Sequence, residues 1–159
     1  MEYICGVTFA PFACAGAFFK PGAKESLAMM KERTGANFVI FVPGGLQETP
    51  QSEEICFTSK ATMEDDELIE MIKYAKETGL RVALKPTVNC KNGTWRAHIN
   101  FFDEDVPCEP KWGNWFASYT AFQLHYAKIA EQHDCEMFIA GCEMVMSEHR
   151  EAEWRKLLS

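Results

Sequence analysis

The chain of 159 residues lacks the features that mark membrane and nucleic-acid-binding proteins. It has no apolar run of about 18 residues, the length that a membrane-spanning helix needs. Its first five residues do not place an apolar segment after a basic one, so they do not resemble a signal peptide and favour a cytoplasmic protein with no membrane partner. Basic residues are few, 16 against 23 acidic ones, and the net charge is −7. Because phosphate binding relies on clustered lysine and arginine, this charge argues against a nucleic-acid partner and favours a neutral substrate.

Several short motifs with known chemistry are also missing. The seven cysteines form no CxxC pair, the histidines form no HExxH, and neither GxGxxG nor GxSxG occurs. An odd number of cysteines without an export signal predicts reduced thiols. We therefore predict no metal and no cofactor, although five cysteines are expected at one end of the fold: Cys14, Cys56, Cys90, Cys108 and Cys142.

What the chain does have is a regular alternation of strand-like and helix-like segments. Short apolar runs predict strands at Tyr3–Phe9, Asn37–Val42, Arg81–Leu84 and Met137–Gly141. Proline follows the first three runs at Pro11, Pro43 and Pro86, and we expect each proline to close its strand because it cannot donate to a ladder. Helices between the strands would make the sheet parallel, with right-handed crossovers, in a single domain over residues 1–159.

Four helices are expected in the gaps. They are predicted over Lys24–Thr34, from Thr62 to Gly79, around the stripe described next, and from Ser147 onward. The third contains apolar residues at helical spacing: Trp115, Tyr119, Phe122, Tyr126 and Ile129. We interpret this stripe as core packed against the sheet. The last helix is expected to bury Trp154, Leu157 and Leu158.

The connections are asymmetric, short from helix to strand and long from strand to helix. The long ones, residues 43–61 and 86–112, predict an elaborate functional face at the carboxyl ends of the strands. This asymmetry is typical of a (β/α)8 barrel, but a whole barrel needs about 250 residues. The sequence therefore predicts an α/β fold, the parallel (β/α)4 half of a TIM (β/α)8 barrel.

Polar candidates cluster at that face. Glu143 follows the fourth strand, and its apolar neighbours would raise its pKa as a general acid requires; the alternative is a solvated loop carboxylate. Lys85 ends the third strand and could donate to substrate, form a Schiff base or pair with a carboxylate. Trp95, Trp112 and Trp115 lie in or beside the connection 86–112, where indole faces could stack on sugar rings or simply fix the loop.

Taken in order, five segments resemble glycoside hydrolase family 113. They are Gly6-Val7-Thr8-Phe9-Ala10-Pro11-Phe12, Leu84-Lys85-Pro86, Trp95-Arg96, Trp115-Phe116 with Ser118-Tyr119, and Gly141-Cys142-Glu143. Members of this family are (β/α)8 retaining endo-β-1,4-mannanases, and some relatives carry the label xylanase. The resemblance covers nearly all of this chain but only the amino-terminal half of the family's barrel.

The resemblance implies that Glu143 is the acid/base carboxylate and that the partner is a β-1,4-linked oligosaccharide or polysaccharide. It further implies that Lys85, Asn89, Trp95, Trp115 and Tyr119 line the sugar subsites. The family's nucleophile belongs to strand seven, which these residues do not include. Three loop carboxylates could approach the site, although nothing in the sequence makes them substitutes: Glu48, Glu53 and Glu54. Weak or absent catalysis by this chain alone is therefore expected.

Two unpaired strand edges would remain in such a half, at the first and fourth strands. Open edges favour association, so we predict self-association or pairing with a complementary half. Two other interpretations stay open. The chain could be a carbohydrate-binding or self-assembling module without turnover, or an unrelated four-stranded doubly wound domain.

Overall fold

A computed structural model describes residues 3–11 and 15–159. The strands are β1 (Gly6–Phe9), β2 (Phe38–Phe41), β3 (Gly44–Gln47), β4 (Arg81–Leu84), β5 (Thr87–Cys90) and β6 (Met137–Phe138). The helices are α1 (Ala23–Thr34), α2 (Asp65–Glu77), α3 (Trp112–Gln132) and α4 (Glu151–Leu158), with single 3-10 turns at Arg96–His98 and Val145–Ser147. Phe12 and Cys14, which the sequence interpretation mentions, lie outside the described residues.

Four strands form one parallel sheet in the order β1-β2-β4-β6. A helix separates each strand of this sheet from the next one along the chain, as consecutive β/α units require. The remaining two strands, β3 and β5, pair in parallel with each other. The predicted order of four β/α units is therefore the observed one.

The strands β2 and β4 end before Pro43 and Pro86, at Phe41 and Leu84, as predicted, and β3 and β5 form a separate two-stranded sheet. Pairing resumes beyond Pro43 and Pro86 in an unchanged register, because β3 continues β2 and β5 continues β4. In this register a residue at position 43 would donate its N–H to the Lys85 carbonyl, which a proline cannot do. The Thr87 hydroxyl donates to that carbonyl instead, at 3.0 Å. The Pro43 carbonyl still accepts from the Thr87 N–H at 2.9 Å, so the ladder survives.

The hydrophobic core lies between one face of the sheet and the helices. Alternate strand residues such as Phe41 and Leu84 point to this face and are fully buried. All five members of the α3 stripe are buried there, which confirms their interpretation as core. The opposite face, which would line the interior of a barrel, includes the exposed Thr8 and the half-buried Ile40 and Lys85.

The carboxyl-terminal part differs most from the prediction. The last strand has two residues, so the segment that leads to Glu143 leaves the ladder early. The last helix begins at Glu151, because the buried Ser147 donates its hydroxyl to the Met144 carbonyl at 2.8 Å and so closes a 3-10 turn. Leu158 is 68% exposed, while Trp154 and Leu157 pack against the core. Within the described ranges, no helix is long and apolar enough to cross a membrane.

Two adjacent glycines in β3 allow a test of this packing. A Cβ at Gly45 would lie 2.7 Å from Ile55 Cγ2 and 2.9 Å from Phe122 Cε2, whereas one at Gly44 would meet no heavy atom within 4 Å. We expect Gly45→Ala to lower the free energy of unfolding by about 1–3 kcal/mol through overpacking. Gly44→Ala is the matched control and should change it by less than about 0.5 kcal/mol. Urea unfolding measures both, and equal effects would contradict the assigned facing of β3.

Candidate active site

Glu143 lies five residues beyond the end of β6, at the carboxyl-end edge of the sheet. Its backbone has φ of 58°, a left-handed conformation that costs a residue with a side chain about 1 kcal/mol. Its side chain is 49% exposed and accepts through Oε2 from Trp95 Nε1 at 2.9 Å. The same oxygen accepts from the Arg96 guanidinium. A strained backbone that presents a doubly hydrogen-bonded carboxylate is typical of a functional position.

The Arg96 guanidinium connects the third and fourth units of the fold. Its Nε donates to the Val88 carbonyl at 2.8 Å, and its Nη2 donates to Asn89 Oδ1 at 2.7 Å. Its Nη1 donates to Glu143, and the arginine side chain is only 16% exposed. Two contacts to β5 thus fix the plane of the guanidinium, and the third holds the carboxylate in place.

The electrostatic surroundings of Glu143 favour its ionised form. The Trp95 hydrogen bond is the largest influence, and the charge and hydrogen bond of Arg96 and the charge of Lys85 add to it. Together they lower the pKa of Glu143, so the raised pKa expected from the sequence is wrong for this structure. The stability that the ionised group contributes is therefore present above the ordinary glutamate range and is lost as the pH falls through the lowered pKa.

Lys85 and Asn89 lie beside Glu143 and Arg96, and each has hydrogen-bond donors without a described partner. The Lys85 ammonium has no hydrogen-bond or ion-pair partner among residues 3–11 and 15–159, so the salt-bridge alternative is not observed there. Asn89 uses its Oδ1 for Arg96, which leaves its amide NH2 without a described partner. Asn89 and Arg96 border a cleft of about 380 Å³, whose other wall includes Thr62 and Met63. The Asn89 amide is therefore placed to serve a ligand in this cleft.

The aromatic candidates separate into one exposed residue and several buried ones. Trp95 is 53% exposed, whereas Trp112, Trp115 and Tyr119 are at most 1% exposed. Trp115 Nε1 donates to Gln47 Oε1 at 3.0 Å inside the core. In this structure Trp115 and Tyr119 cannot touch a sugar, because they face the helix side of the sheet. The implied subsite role of these two residues is therefore not observed, and within the described ranges only Trp95 offers an indole to solvent beside Glu143.

Tyr119 contacts the segment that carries Glu143. Its hydroxyl donates to the Ala140 carbonyl at 2.8 Å, three residues before Glu143. Burial raises the pKa of this phenol, so it is a neutral donor at neutral pH. Its contact holds the segment that leaves β6, where the ladder no longer does.

Two of the three loop carboxylates considered as partners of Glu143 are engaged elsewhere. Glu48 forms an ion pair with Lys91 at 2.5 Å. Glu53 accepts from the Lys111 N–H at 2.5 Å and from Asn114 Nδ2 at 3.0 Å, which caps the start of α3. Glu54 is exposed. The described groups that shift the pKa of Glu143 are an indole and two cations, and none of them is acidic.

Comparison with known proteins identifies the family of this chain. The sequence profile described as Glycoside Hydrolase Family 113 matches residues 7–159. The chain belongs to glycoside hydrolase family 113. A solved structure described as a GH113 beta-1,4-mannanase, also solved as a complex, is 56% identical with a TM-score of 0.96, and the match covers 99% of this chain and 51% of that one.

A second relative is the GH113 beta-mannanase AaManA from Alicyclobacillus acidocaldarius, solved in complex with ManMIm. It is 39% identical with a TM-score of 0.93, over 99% of this chain and 50% of that one. The chain thus spans about half the length of the structures it matches. These family 113 matches confirm the resemblance and the predicted fold class, a partial (β/α) barrel. No curated protein matches the chain.

Arg96 is not among the site residues predicted for this family 113 chain, although the Trp95-Arg96 pair is one of the segments that carry the resemblance. The sequence offers one signal for a role of Arg96, because a positively charged residue follows a tryptophan in a long connection of an acidic protein. The hydrogen bonds from Arg96 to Val88 and Asn89 could not be predicted, because the sequence does not predict β5 as a strand. Among the described residues, no group of three or more histidine, cysteine, aspartate or glutamate side chains is placed to hold a metal ion.

The pKa of Glu143 can be tested with Trp95→Phe. This change removes the indole N–H and retains an aromatic ring, so we expect the Glu143 pKa to rise toward its ordinary value. A carboxyl-carbon NMR titration measures it. Glu136, whose pKa is lowered by Arg81, serves as an internal control and should not move. An unchanged Glu143 midpoint would show that the indole hydrogen bond is not the leading cause.

Proposed function

We propose that this chain carries the acid/base half of a retaining endo-β-1,4-mannanase active site. The observation that supports the proposal most directly is the Glu143 carboxylate, fixed by Trp95 and Arg96 at the carboxyl-end edge of the sheet. Active sites of (β/α)8 enzymes lie at that edge. The family 113 match adds the reaction class, because its solved relatives are described as beta-1,4-mannanases.

In the proposed reaction Glu143 first protonates the departing glycosidic oxygen and later takes a proton from the attacking water. The first step needs a protonated carboxyl, yet Trp95 and Arg96 stabilise the ionised form. A retaining site places a second carboxylate about 5–5.5 Å away, and a like charge at that distance raises the pKa of its neighbour. We infer that this second carboxylate comes from the other half of the barrel. This half alone would then hold Glu143 in the unreactive protonation state.

The residues around Glu143 suit a neutral polysaccharide. The exposed indole of Trp95 offers an apolar face on which a pyranose can stack. The Asn89 amide offers a donor without a described partner at the cleft, and Lys85 offers another close enough to Glu143 to influence its charge. The net charge of −7 disfavours polyanions. Mannan is the proposed polymer, and xylan is the comparison substrate in the assay below.

The experiment pairs this chain with the missing half. The chain is mixed with a polypeptide that covers the remaining part of a family 113 mannanase, and reducing ends released from β-1,4-mannan are counted. The chain alone should release few or none. In the reconstituted enzyme Glu143→Gln should lower kcat about 100-fold or more, since general acid–base groups contribute about 10²–10⁴-fold. Glu148→Gln changes an exposed glutamate in the same segment and should leave the rate unchanged.

Full activity of the reconstituted Glu143→Gln enzyme would refute the acid/base role. Equal rates on xylan and mannan would refute the proposed substrate. Activity of this chain alone, at the rate of the reconstituted enzyme, would refute the division of the site between two halves.

The proposal also has a consequence for association. β1 and β6 are the terminal strands of the described sheet, and each pairs on one side only. Met137 on β6 is 40% exposed and Ile4 beside β1 is 43% exposed, so both edges carry apolar surface. We expect the isolated chain to form dimers or larger species until a complementary half covers the edges. Light scattering at tens of micromolar measures this, and a clean monomer would contradict it.

The second candidate function is a carbohydrate-binding module without turnover. The lowered pKa of Glu143 favours this candidate, because an ionised carboxylate beside an exposed indole can bind a sugar but cannot protonate a leaving group. Oligosaccharide titration followed by tryptophan fluorescence distinguishes the two. Binding without reducing-end release, even after the second half is added, would favour the module.

A further inference from the structure

A second aromatic residue is displayed to solvent on the same connection as Trp95. Phe102 is 59% exposed, and its neighbour Phe101 is 8% exposed and packs edge-on against Trp112 with ring centroids 4.9 Å apart. The backbone of Phe102 also forms a bridge with Lys111, whose N–H is held by Glu53. The fold therefore fixes the segment on both sides of Phe102 and holds its ring outward.

Three polar side chains surround this region without using their hydrogen-bonding groups. Gln51, Asn100 and Glu109 line a cleft of about 250 Å³ together with Phe102. None of these three side chains has a hydrogen-bond or ion-pair partner in the part of the chain that the structure describes. Other carboxylates of the same connections, such as Glu53, are engaged. Two amides and a carboxylate around an exposed ring thus provide free donors and acceptors beside an apolar face.

We propose that this cleft is a second saccharide-binding site, separate from the cluster around Glu143. A pyranose needs an apolar surface for one face of its ring and directional partners for its hydroxyls, and the cleft offers both. The inference rests on the proposed function, in that a protein acting on or binding a glycan supplies the class of ligand.

The charge and position of the cleft restrict its occupant. Glu109 and the acidic run 103–105 disfavour an anionic ligand such as a uronic-acid polymer, so the ligand is a neutral sugar. The cleft lies between the connections that follow β3 and β5, which continue β2 and β4, the second and third strands of the four-stranded sheet. Additional strands would join at the edges of β1 and β6, so completion of the barrel does not require this cleft.

Two aromatic positions on one connection have a consequence for long substrates. A polymer long enough to contact Trp95 and Phe102 together would bind with a local concentration advantage that short oligosaccharides lack. The Phe102 cleft would then retain a polysaccharide near Glu143 without taking part in bond cleavage.

The test uses this chain alone, because all lining residues of the cleft belong to it. Binding of β-1,4-mannohexaose is measured by isothermal titration in the Trp95→Ala chain, so that the remaining affinity reports on the second cleft. Adding Phe102→Ala should raise the Kd about 3- to 10-fold, which is the size of an aromatic contact. Adding Leu124→Ala, which truncates a 50% exposed side chain on α3, should leave it unchanged.

Glu109→Gln in the Trp95→Ala chain is the second variant, and it retains the ring while weakening acceptance from sugar hydroxyls. We expect a smaller rise in Kd, and polygalacturonate should show no binding to any variant. An affinity that is the same with and without Phe102 would overturn the proposal. A change in oligomeric state without a change in affinity would also overturn it, because the ring would then serve a protein contact.

This outcome is independent of the proposed catalysis. Reconstituted enzyme without hydrolytic activity would refute the mannanase proposal while the Phe102→Ala binding defect remained. Conversely, full loss of activity in Glu143→Gln with no effect of Phe102→Ala on affinity would leave the active site in place and remove the second cleft.

Discussion

The candidate site depends on the position of one guanidinium group. Arg96 comes from a connection with little regular structure, yet its three nitrogens are fixed by the Val88 carbonyl, Asn89 and Glu143. Without the arginine, the half-exposed Glu143 would keep one partner, Trp95, and would sit on a strained backbone with no neighbouring ladder. The arginine thus transfers the rigidity of β5 to a carboxylate that β6 is too short to hold.

The rigidity of β5 in turn depends on how the sheet tolerates proline. Val88 and Asn89 can present their acceptors to Arg96 only because pairing continues past Pro43 and Pro86. The hydroxyl of Thr87 supplies the donor that Pro43 lacks, at the Lys85 carbonyl. The same residue donates its N–H to the Pro43 carbonyl. One threonine therefore extends the strand far enough for Asn89 to reach the functional edge.

Much of the fold could be predicted from the sequence, because the signals that determine it are local. Apolar runs locate β1, β2 and β4, and the stripe of α3 follows from helical spacing. What could not be predicted depends on contacts between distant residues. The contact of the Thr87 hydroxyl with the Lys85 carbonyl, which compensates for Pro43, depends on the register between strand residues 43 positions apart in the chain. A prediction from local sequence does not include that register. The 3-10 turn closed by Ser147 competes with a helix start that uses the same residue type.

The site shows the same division between local and distant information. Glu143, Lys85, Asn89 and Trp95 lie at strand ends or in long connections, and the structure brings them to one edge. Trp115 and Tyr119 are residue types that often stack on sugars. They are buried here because the face of α3 that carries them packs against the sheet. Composition cannot report direction, and for that reason the aromatic content of this chain overstates its exposed aromatic surface.

The direction of the Glu143 pKa shift follows from the incompleteness of its surroundings. The Glu143 carboxyl is half exposed and has a cation and an indole N–H as neighbours, and these surroundings stabilise its ionised form. Closing a barrel over it would remove water, which raises the pKa, and a second carboxylate would raise it further. The Arg96 contact would persist through both changes, since its anchors lie within this half. The arginine would then oppose that rise in the pKa of Glu143.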